Sequence, residues 1–283
     1  MALILMDATT PKLQTRCFNG SLGGKSVETR ESVDSRCNSG VALDADRRFR
    51  TRPGSERSTR HATGNGEPAR VSESAAPGTL RELDAKMNGI QRSYELGKIT
   101  DERLLHEFRA FYDTDPALAS QYNAWIEKMP RSYSALLARG IYLRYLGKEA
   151  RGSRYIEDTS RQQIELMSTY LAKAMRDYNA SLTLTKKPLL TYHAILAVTM
   201  LEGDDDLARR MLNESIRVDP RNFVVRYKYF ATLQTRWGGS LEQMLDFEQQ
   251  ARAAGLSDAQ LKYFANMLVV ERRWVQTGGR CCK

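Results

Sequence analysis

The sequence predicts an all-α protein, and three observations lead there. From Thr79 onward the apolar residues recur at helical spacing almost without interruption. No stretch alternates with period two for long enough to suggest a sheet. Tyr192 to Pro220 reads as a complete helix hairpin: Tyr192 and Ile195 lie one turn apart, Gly203 breaks the chain, Ala208, Leu212 and Ser215 form an inner stripe, and Asp219-Pro220 stops it. That order of bulky residues, turn glycine, small-large-small stripe and proline is the order of a tetratricopeptide repeat. One such hairpin cannot bury its own apolar face. The predicted architecture is therefore antiparallel helix hairpins stacked as a tetratricopeptide-repeat-like right-handed solenoid.

Composition divides the chain into three parts. Residues 1–78 are rich in Ser, Gly, Arg, Thr and Ala, carry few aromatics and show no sustained period, which predicts a disordered, basic, low-complexity arm. Residues 79–277 form the predicted repeat-like helical domain, and residues 278–283 a frayed tail. The net charge of +9 permits binding to an anionic partner without requiring it. The one dense basic run, Arg47, Arg48, Arg50, Arg52, Arg57 and Arg60, lies in the arm and reads first as a solvated tail, second as a nucleic-acid contact. Cys17, Cys37, Cys281 and Cys282 all lie outside the helical body, so neither a disulfide framework nor a metal cage supports the fold. Met1 to Met6 is too short for a secretory apolar segment and lacks a basic flank, and no run reaches membrane-spanning length. The expectation is a cytoplasmic protein with no membrane span.

The elements follow in order. Four capping boxes, Thr79…Glu82, Ser160…Gln163, Ser240…Gln243 and Ser257…Gln260, mark predicted helix starts. A first helix over about 80–96 places Leu80, Leu83, Met87, Ile90 and Tyr94 on one stripe, and Gly97 ends it. Thr100 opens a second helix with Leu104, Leu105, Phe108 and Phe111. Asp115-Pro116 reads as an N-cap followed by proline at the first helical position, opening a helix that buries Leu118, Tyr122, Trp125 and Ile126 before Pro130. Ser132 to Leu146 is a further helix, with a connection at Gly147 and Arg151-Gly152. A long helix covers 160–181. Pro188 opens the first helix of the repeat hairpin and Asp205 to Arg217 forms its second. Helices over 222–234, 240–254 and 257–275 complete a count of about ten.

Several of these landmarks resemble a bacterial family, domain of unknown function 4034, over roughly residues 80–254. They are Trp125 and Pro130 before Ser132, Ala138-Arg139-Gly140, Ala150-Arg151-Gly152, Pro188, Tyr192, and Arg236-Trp237-Gly238-Gly239-Ser240 followed by Met244 and Phe247. The family carries an aromatic just before the second Ala-Arg-Gly element, where this chain has Gly147-Lys148-Glu149. The resemblance implies a repeat-like helical architecture and brings no activity.

Residues that carry chemistry are sparse. Gly20 to Ser26 looks like a phosphate-binding loop, but Asn19 stands where the motif needs glycine and no strand precedes it. His61, His106 and His193 have no second ligand at metal spacing. Asp204-Asp205-Asp206 reads as a helix start that complements the macrodipole, and Cys281-Cys282-Lys283 is no prenylation box. Arg139, Arg144, Arg151, Arg154, Tyr142, Tyr145 and Tyr155 interleave cations with aromatics, an arrangement suited either to packing or to an RNA- or anion-binding surface. Trp237 beside two glycines either caps a hairpin core or stacks on a ligand, with Arg236 free to meet an anion. The expectation is a non-catalytic interaction module that needs no cofactor. It would capture a peptide or protein segment on the face formed by successive first helices, through Arg139, Tyr142, Arg151, Tyr192 and Trp237. An RNA- or anion-binding module is second, and an enzyme third.

Overall fold

The computed structural model of the chain describes residues 77–279 apart from Tyr155. The expected arm therefore lies outside the described residues except for Pro77 and Gly78, which open the first helix. The basic run, the glycine loop at 20–26, His61 and the four cysteines lie outside them too. Ten α-helices and no strand are found among the described residues: α1 (Pro77–Glu95), α2 (Asp101–Phe108), α3 (Leu118–Lys128), α4 (Tyr133–Arg151), α5 (Arg161–Ser181), α6 (Leu189–Glu202), α7 (Asp205–Val218), α8 (Val224–Thr232), α9 (Leu241–Ala253) and α10 (Asp258–Gln276). Short 3-10 turns occupy Arg109–Tyr112, Ile156–Asp158 and Thr235–Trp237.

The helix starts follow local capping chemistry. Ser160 and Ser257 form full reciprocal boxes with Gln163 and Gln260. Ser240 accepts from the Gln243 N–H without a return bond. Thr79 is not a cap, because α1 already runs through it from Pro77. Asp204 caps α7 by accepting from the Leu207 N–H at 2.9 Å, and Asp205 and Asp206 fill the first turn. Before α3 the expected start at Asp115-Pro116 gives way to a turn. Asp113 and Asp115 each accept from a backbone N–H two residues on, and the helix begins at Leu118.

One boundary moved for a packing reason. Helix α4 runs straight through Gly147, the expected connection, and ends at Arg151, with Gly152 at φ +75°. Gly147 is buried where α4 crosses α5: a Cβ there would lie 3.2 Å from Cβ of Tyr170 and 3.3 Å from the Met167 carbonyl oxygen. Its role is close helix approach, so the glycine costs helix propensity and recovers it in contact. Gly140, two turns earlier, serves the same crossing.

Consecutive helices pair as hairpins, α4 with α5, α6 with α7 and α9 with α10, while α6 packs on both α4 and α8, and α8 on α10. The centre is α6. Every residue from Leu189 to Thr199 is buried, so its apolar character on all sides matches its surroundings. Around it lie two aromatic groups. Phe108, Phe111, Tyr122, Trp125 and Tyr142 join the 3-10 turn after α2 to α3 and α4, and Phe223, Tyr227, Phe230, Phe247, Tyr263 and Phe264 join α8, α9 and α10. Centroid separations of 4.7 to 6.4 Å place them in the range where ring pairs add to area burial. No helix among the described residues is long and apolar enough to cross a membrane.

A Cβ on Gly140 would lie 2.4 Å from Cε1 of the buried Tyr178 ring. Gly140→Ala is expected to lower stability by about 1–3 kcal/mol through overpacking. Urea unfolding checks this: the midpoint falls at constant slope, and an unchanged midpoint would show that the crossing is loose.

Candidate functional site

Helix α1 carries two adjacent stripes. Leu80, Met87 and Tyr94 are buried against the core. Beside them Asp84, Asn88, Gln91 and Glu95 recur at i, i+4, i+7 and i+11, the spacing of one helix face. This second stripe reaches the beginnings of two later helices. At α4, Asp84 accepts from the Ser132 hydroxyl and, at 2.9 Å, from the Trp125 indole N–H. Asn88 donates to Ser132 Oγ at 3.0 Å and accepts from the Ser134 N–H. At the entry to α6, Glu95 Oε1 accepts from the Thr185 hydroxyl and from the N–H groups of Lys186 (2.8 Å) and Lys187 (3.3 Å). Gln91 donates to the Lys187 carbonyl at 2.9 Å.

The series continues past the α1–α2 turn. Asp101 Oδ2 accepts from the backbone N–H groups of Phe223 and Val224 at the start of α8. Glu102 accepts from Gln260, the third residue of α10 and the partner in its capping box. Neither α6 nor α8 has a capping side chain of its own, since Pro188 and Phe223 hold those positions. The acceptor at the start of α8, and the one that holds the two residues before Pro188, come from some 120 and 90 residues earlier in the chain. Helix N-termini present unpaired N–H groups and positive partial charge, and carboxylates meet both demands.

Burial pushes the Glu95 carboxyl up, but the bonds from Thr185, Lys186 and Lys187 outweigh it and hold the group below the usual glutamate range. Burial, with the neighbouring Glu102 adding to it, pushes Asp101 up to about 7 against the pull of its two backbone donors. Burial also raises Glu102, yet its bonds with Asp101 and Gln260 leave it below its ordinary value.

The same edge carries cations. Arg81 and Arg92, three turns apart on α1, lie on the flank next to Asp84, Asn88 and Glu95. Arg131 immediately precedes Ser132, and Lys186 gives its N–H to Glu95. Lys98 lies in the α1–α2 turn, where its N–H bonds the Ser93 carbonyl. All five side chains are exposed, and none forms an ion pair with a carboxylate among the described residues. The exposed acid of α1, Glu82, is rotated about 100° from Arg81.

Of the five residues nominated from sequence, Arg139, Tyr142 and Arg151 lie on α4, Tyr192 on α6 and Trp237 in the 3-10 turn before α9. Arg139 forms a two-pronged pair with Asp177 on α5, at 2.8 and 2.7 Å, and donates to Asn123. That bond with Asp177 raises its already high pKa. Tyr142 is buried against Tyr122 and donates to the Asp115 carbonyl at 3.1 Å. Arg151 donates to the carbonyls of Gly152 and Arg154, closing the end of α4. Tyr192 is buried in α6, and burial raises its hydroxyl pKa. Among their neighbours, Arg144 is buried with its guanidinium 4.3 Å from the Tyr145 ring centre, and Tyr155 lies outside the described residues. His106 is exposed on α2 and His193 is buried in α6.

Trp237 closes a 3-10 turn and is only half-buried. Its turn is fixed by Glu271 of α10, which is 0% exposed. Glu271 accepts from the Gln234 amide (2.9 Å), the Thr235 N–H (2.8 Å) and hydroxyl, and the Arg236 guanidinium (3.0 Å). Arg236, expected to be free for an anion, is thus paired, and it also stacks 4.4 Å over the Trp274 ring. Gly238 takes φ +92°, and a Cβ on Gly239 would meet the Leu233 carbonyl oxygen at 2.0 Å, so both glycines are structural requirements.

Sequence reading missed Asp84, Glu95, Asp101, Glu102 and Glu271. The signal for the first two was available as a polar stripe running beside the apolar one. Nothing local marks the others.

Trp125, fully buried and bonded to Asp84, is expected to cost about 3–5 kcal/mol on Trp125→Ala, and Trp237→Ala clearly less. Chemical denaturation of both variants checks the order. For Asp101, the folded pKa lies above the unfolded value near 4, so unfolding releases a proton. Its contribution is full at acid pH and is lost as pH rises through about 7. Asp101→Asn keeps an acceptor but not the proton, so its melting temperature should decline less than wild type between about pH 5 and 8. Asp101→Ala leaves two buried N–H groups unpaired and should cost about 1–3 kcal/mol more than Asn.

No family model, no curated protein and no solved structure matches the chain.

Proposed function

We propose that this chain is a non-catalytic interaction module, a tetratricopeptide-repeat-like solenoid of helix hairpins that docks an anionic partner along the α1 edge. The observation that carries the reading is the set of five exposed cations with no carboxylate partner among the described residues, Arg81, Arg92, Lys98, Arg131 and Lys186, on a helix and on loops bonded to it. Exposed cations without a carboxylate partner stay accessible to an anion, whereas Arg139 and Arg236 are paired inside the fold.

Peptide capture on the first-helix face is the weaker reading. Helix α2 packs against α6 and α8, and α6 has no exposed residue from Leu189 to Thr199. Of the residues nominated for that groove, Tyr142 and Tyr192 are buried and Arg139 is paired. The likeness to domain of unknown function 4034 stays part of this proposal and supplies no activity.

The test is charge reversal on the full chain. Arg92→Glu with Lys186→Glu should weaken binding to a soluble sulfated polyanion by about tenfold or more at low salt. The melting temperature should stay within about 2 °C, because both side chains are exposed and neither forms an ion pair among the described residues. Unaltered polyanion binding by a folded variant would reject the edge as the docking surface.

A further inference from the structure

Asp101 and Glu102, the first two residues of α2, carry one continuous chain of hydrogen bonds between the starts of α8 and α10. Asp101 is 7% exposed, and its Oδ2 accepts from the N–H groups of Phe223 and Val224. Its carboxyl is bonded to that of Glu102. Glu102 is half-buried, and its Oε1 accepts from the Gln260 side-chain amide at 2.5 Å. The oxygen of that amide accepts from the Ser257 N–H at 3.1 Å and completes the capping box of α10. Two carboxylates offer acceptors alone, so two carboxyls bond one another only when one of them carries a proton. Burial pushes Asp101 up to about 7 while Glu102 is held below its ordinary value, which puts the shared proton on Asp101.

Other titratable groups come from each element packed against α2. On α1, Tyr94 donates to Asp219 at 2.7 Å, and burial together with Asp219 raises its hydroxyl, which stays protonated. Asp219 also accepts from the Arg221 N–H. On α8, Arg226 donates to the Pro220 carbonyl at 2.8 Å, and Lys228 is buried. Helix α6 contributes Tyr192 and His193, the 3-10 turn Arg109, and the start of α10 Lys262 and Tyr263. On α2 itself Arg103 pairs with Glu107, and His106 is exposed. Of all these, Glu102 is the carboxyl bonded to Asp101.

We propose that Asp101 and Glu102 form a proton-controlled latch, which holds the first turn of α10 to α2 in mildly acid solution and releases it in mildly alkaline solution. With the proton in place, the Asp101 O–H donates to Glu102 while Gln260 donates to the same carboxylate. Loss of the proton to solvent leaves two adjacent carboxylates, and like charges in one partly buried site repel. Asp101 is kept in place by two backbone donors, so Glu102, the more exposed member, turns toward water and gives up Gln260. The rest of α10 stays docked: Phe264 is fully buried, and Glu271 remains bonded to the turn before α9. The element released is the capped turn at 257–261, and the device is independent of the α1 docking edge.

Amide hydrogen exchange of the full chain between pH 5 and 8, corrected for the intrinsic pH dependence of exchange, tests the latch. The amides to follow are Gln260 and Leu261, whose N–H groups bond Ser257. The start of α5 is an internal control. There Gln163 and Ile164 bond Ser160 in the same way, but the Gln163 side chain donates to the Arg151 carbonyl, which does not titrate. Protection at Gln260 and Leu261 should fall by about tenfold or more as pH rises, one unit of pKa being a factor of ten in the coupled equilibrium. Protection at Gln163 and Ile164 should stay level. Asp101→Asn keeps an acceptor for both backbone N–H groups and donates to Glu102 at every pH, so the α10 start should hold its acid-side protection up to pH 8. Glu102→Gln removes the repelling charge and should abolish the pH dependence too; either variant decides alone. Level protection at the α10 start of the unaltered chain would overturn the latch. A fall shared equally by the α5 start would overturn it as general loosening. A fall that persists in the variants would assign the effect to another group, such as His106 or His193, and would overturn it as well.

Discussion

The structure depends on carboxylates from one hairpin meeting the N-terminal ends of helices far along the chain. Helices α6 and α8 begin at Pro188 and Phe223, residues with no side chain able to accept a backbone N–H. Asp101 gives the buried N–H groups of Phe223 and Val224 an acceptor, without which each would cost about 1–3 kcal/mol. Glu95 holds the N–H groups of Lys186 and Lys187 just before Pro188, Asn88 accepts from the Ser134 N–H of α4, and Glu102 bonds the Gln260 side chain of α10. The α1–α2 hairpin is thus bonded to the entries of four later helices. It also bridges elements separated by up to 158 residues.

This constraint sets the helical body apart from a simple stack of hairpins. In an ordinary stacked array each unit touches only its neighbours, and stability is nearly a sum over units. Here α2 lies against α6 and α8 while α1 lies against α4, so the first hairpin is shared among later ones. Its Leu104 and Phe108 are fully buried. Helix α6 is apolar on every side because α4, α5, α7 and α8 surround it, with α2 also in contact, so it has no use for the polar face that an open groove would require.

The helices and most of their ends were legible in the sequence because their causes are local. Ser160 with Gln163, Gly203 at φ +73° and the Asp204 cap each act within a few residues of the boundary they set. Gly147 was misread because its reason is a contact with Tyr170 and Met167 on another helix, which no window on α4 contains. Asp115-Pro116 failed differently: two Asx turns competed for the same residues and delayed the helix. The site was less legible than the fold. Arg139 and Arg236 looked available because Asp177 and Glu271 lie 38 and 35 residues away. Tyr142 and Tyr192 looked like surface aromatics until packing buried them. The cations that stay free, such as Arg92 and Lys186, carry no motif. The bonds that join Glu95 and Gln91 to residues 185–187 bring them to one edge.

Charge segregation across α1 follows from the same bonds. Its acids Asp84 and Glu95 are committed to hydroxyl and backbone donors, and Glu95 is held ionised by them. A carboxylate so engaged cannot swing out to pair with Arg81 or Arg92, but its charge still lowers the positive potential around them. The edge therefore has several cations of moderate field in fixed positions, not one deep anion site. Screening at physiological salt reaches about 8 Å, comparable to half the interval between Arg81 and Arg92. Each contact then acts nearly independently, and a partner gains affinity by touching many of them in register.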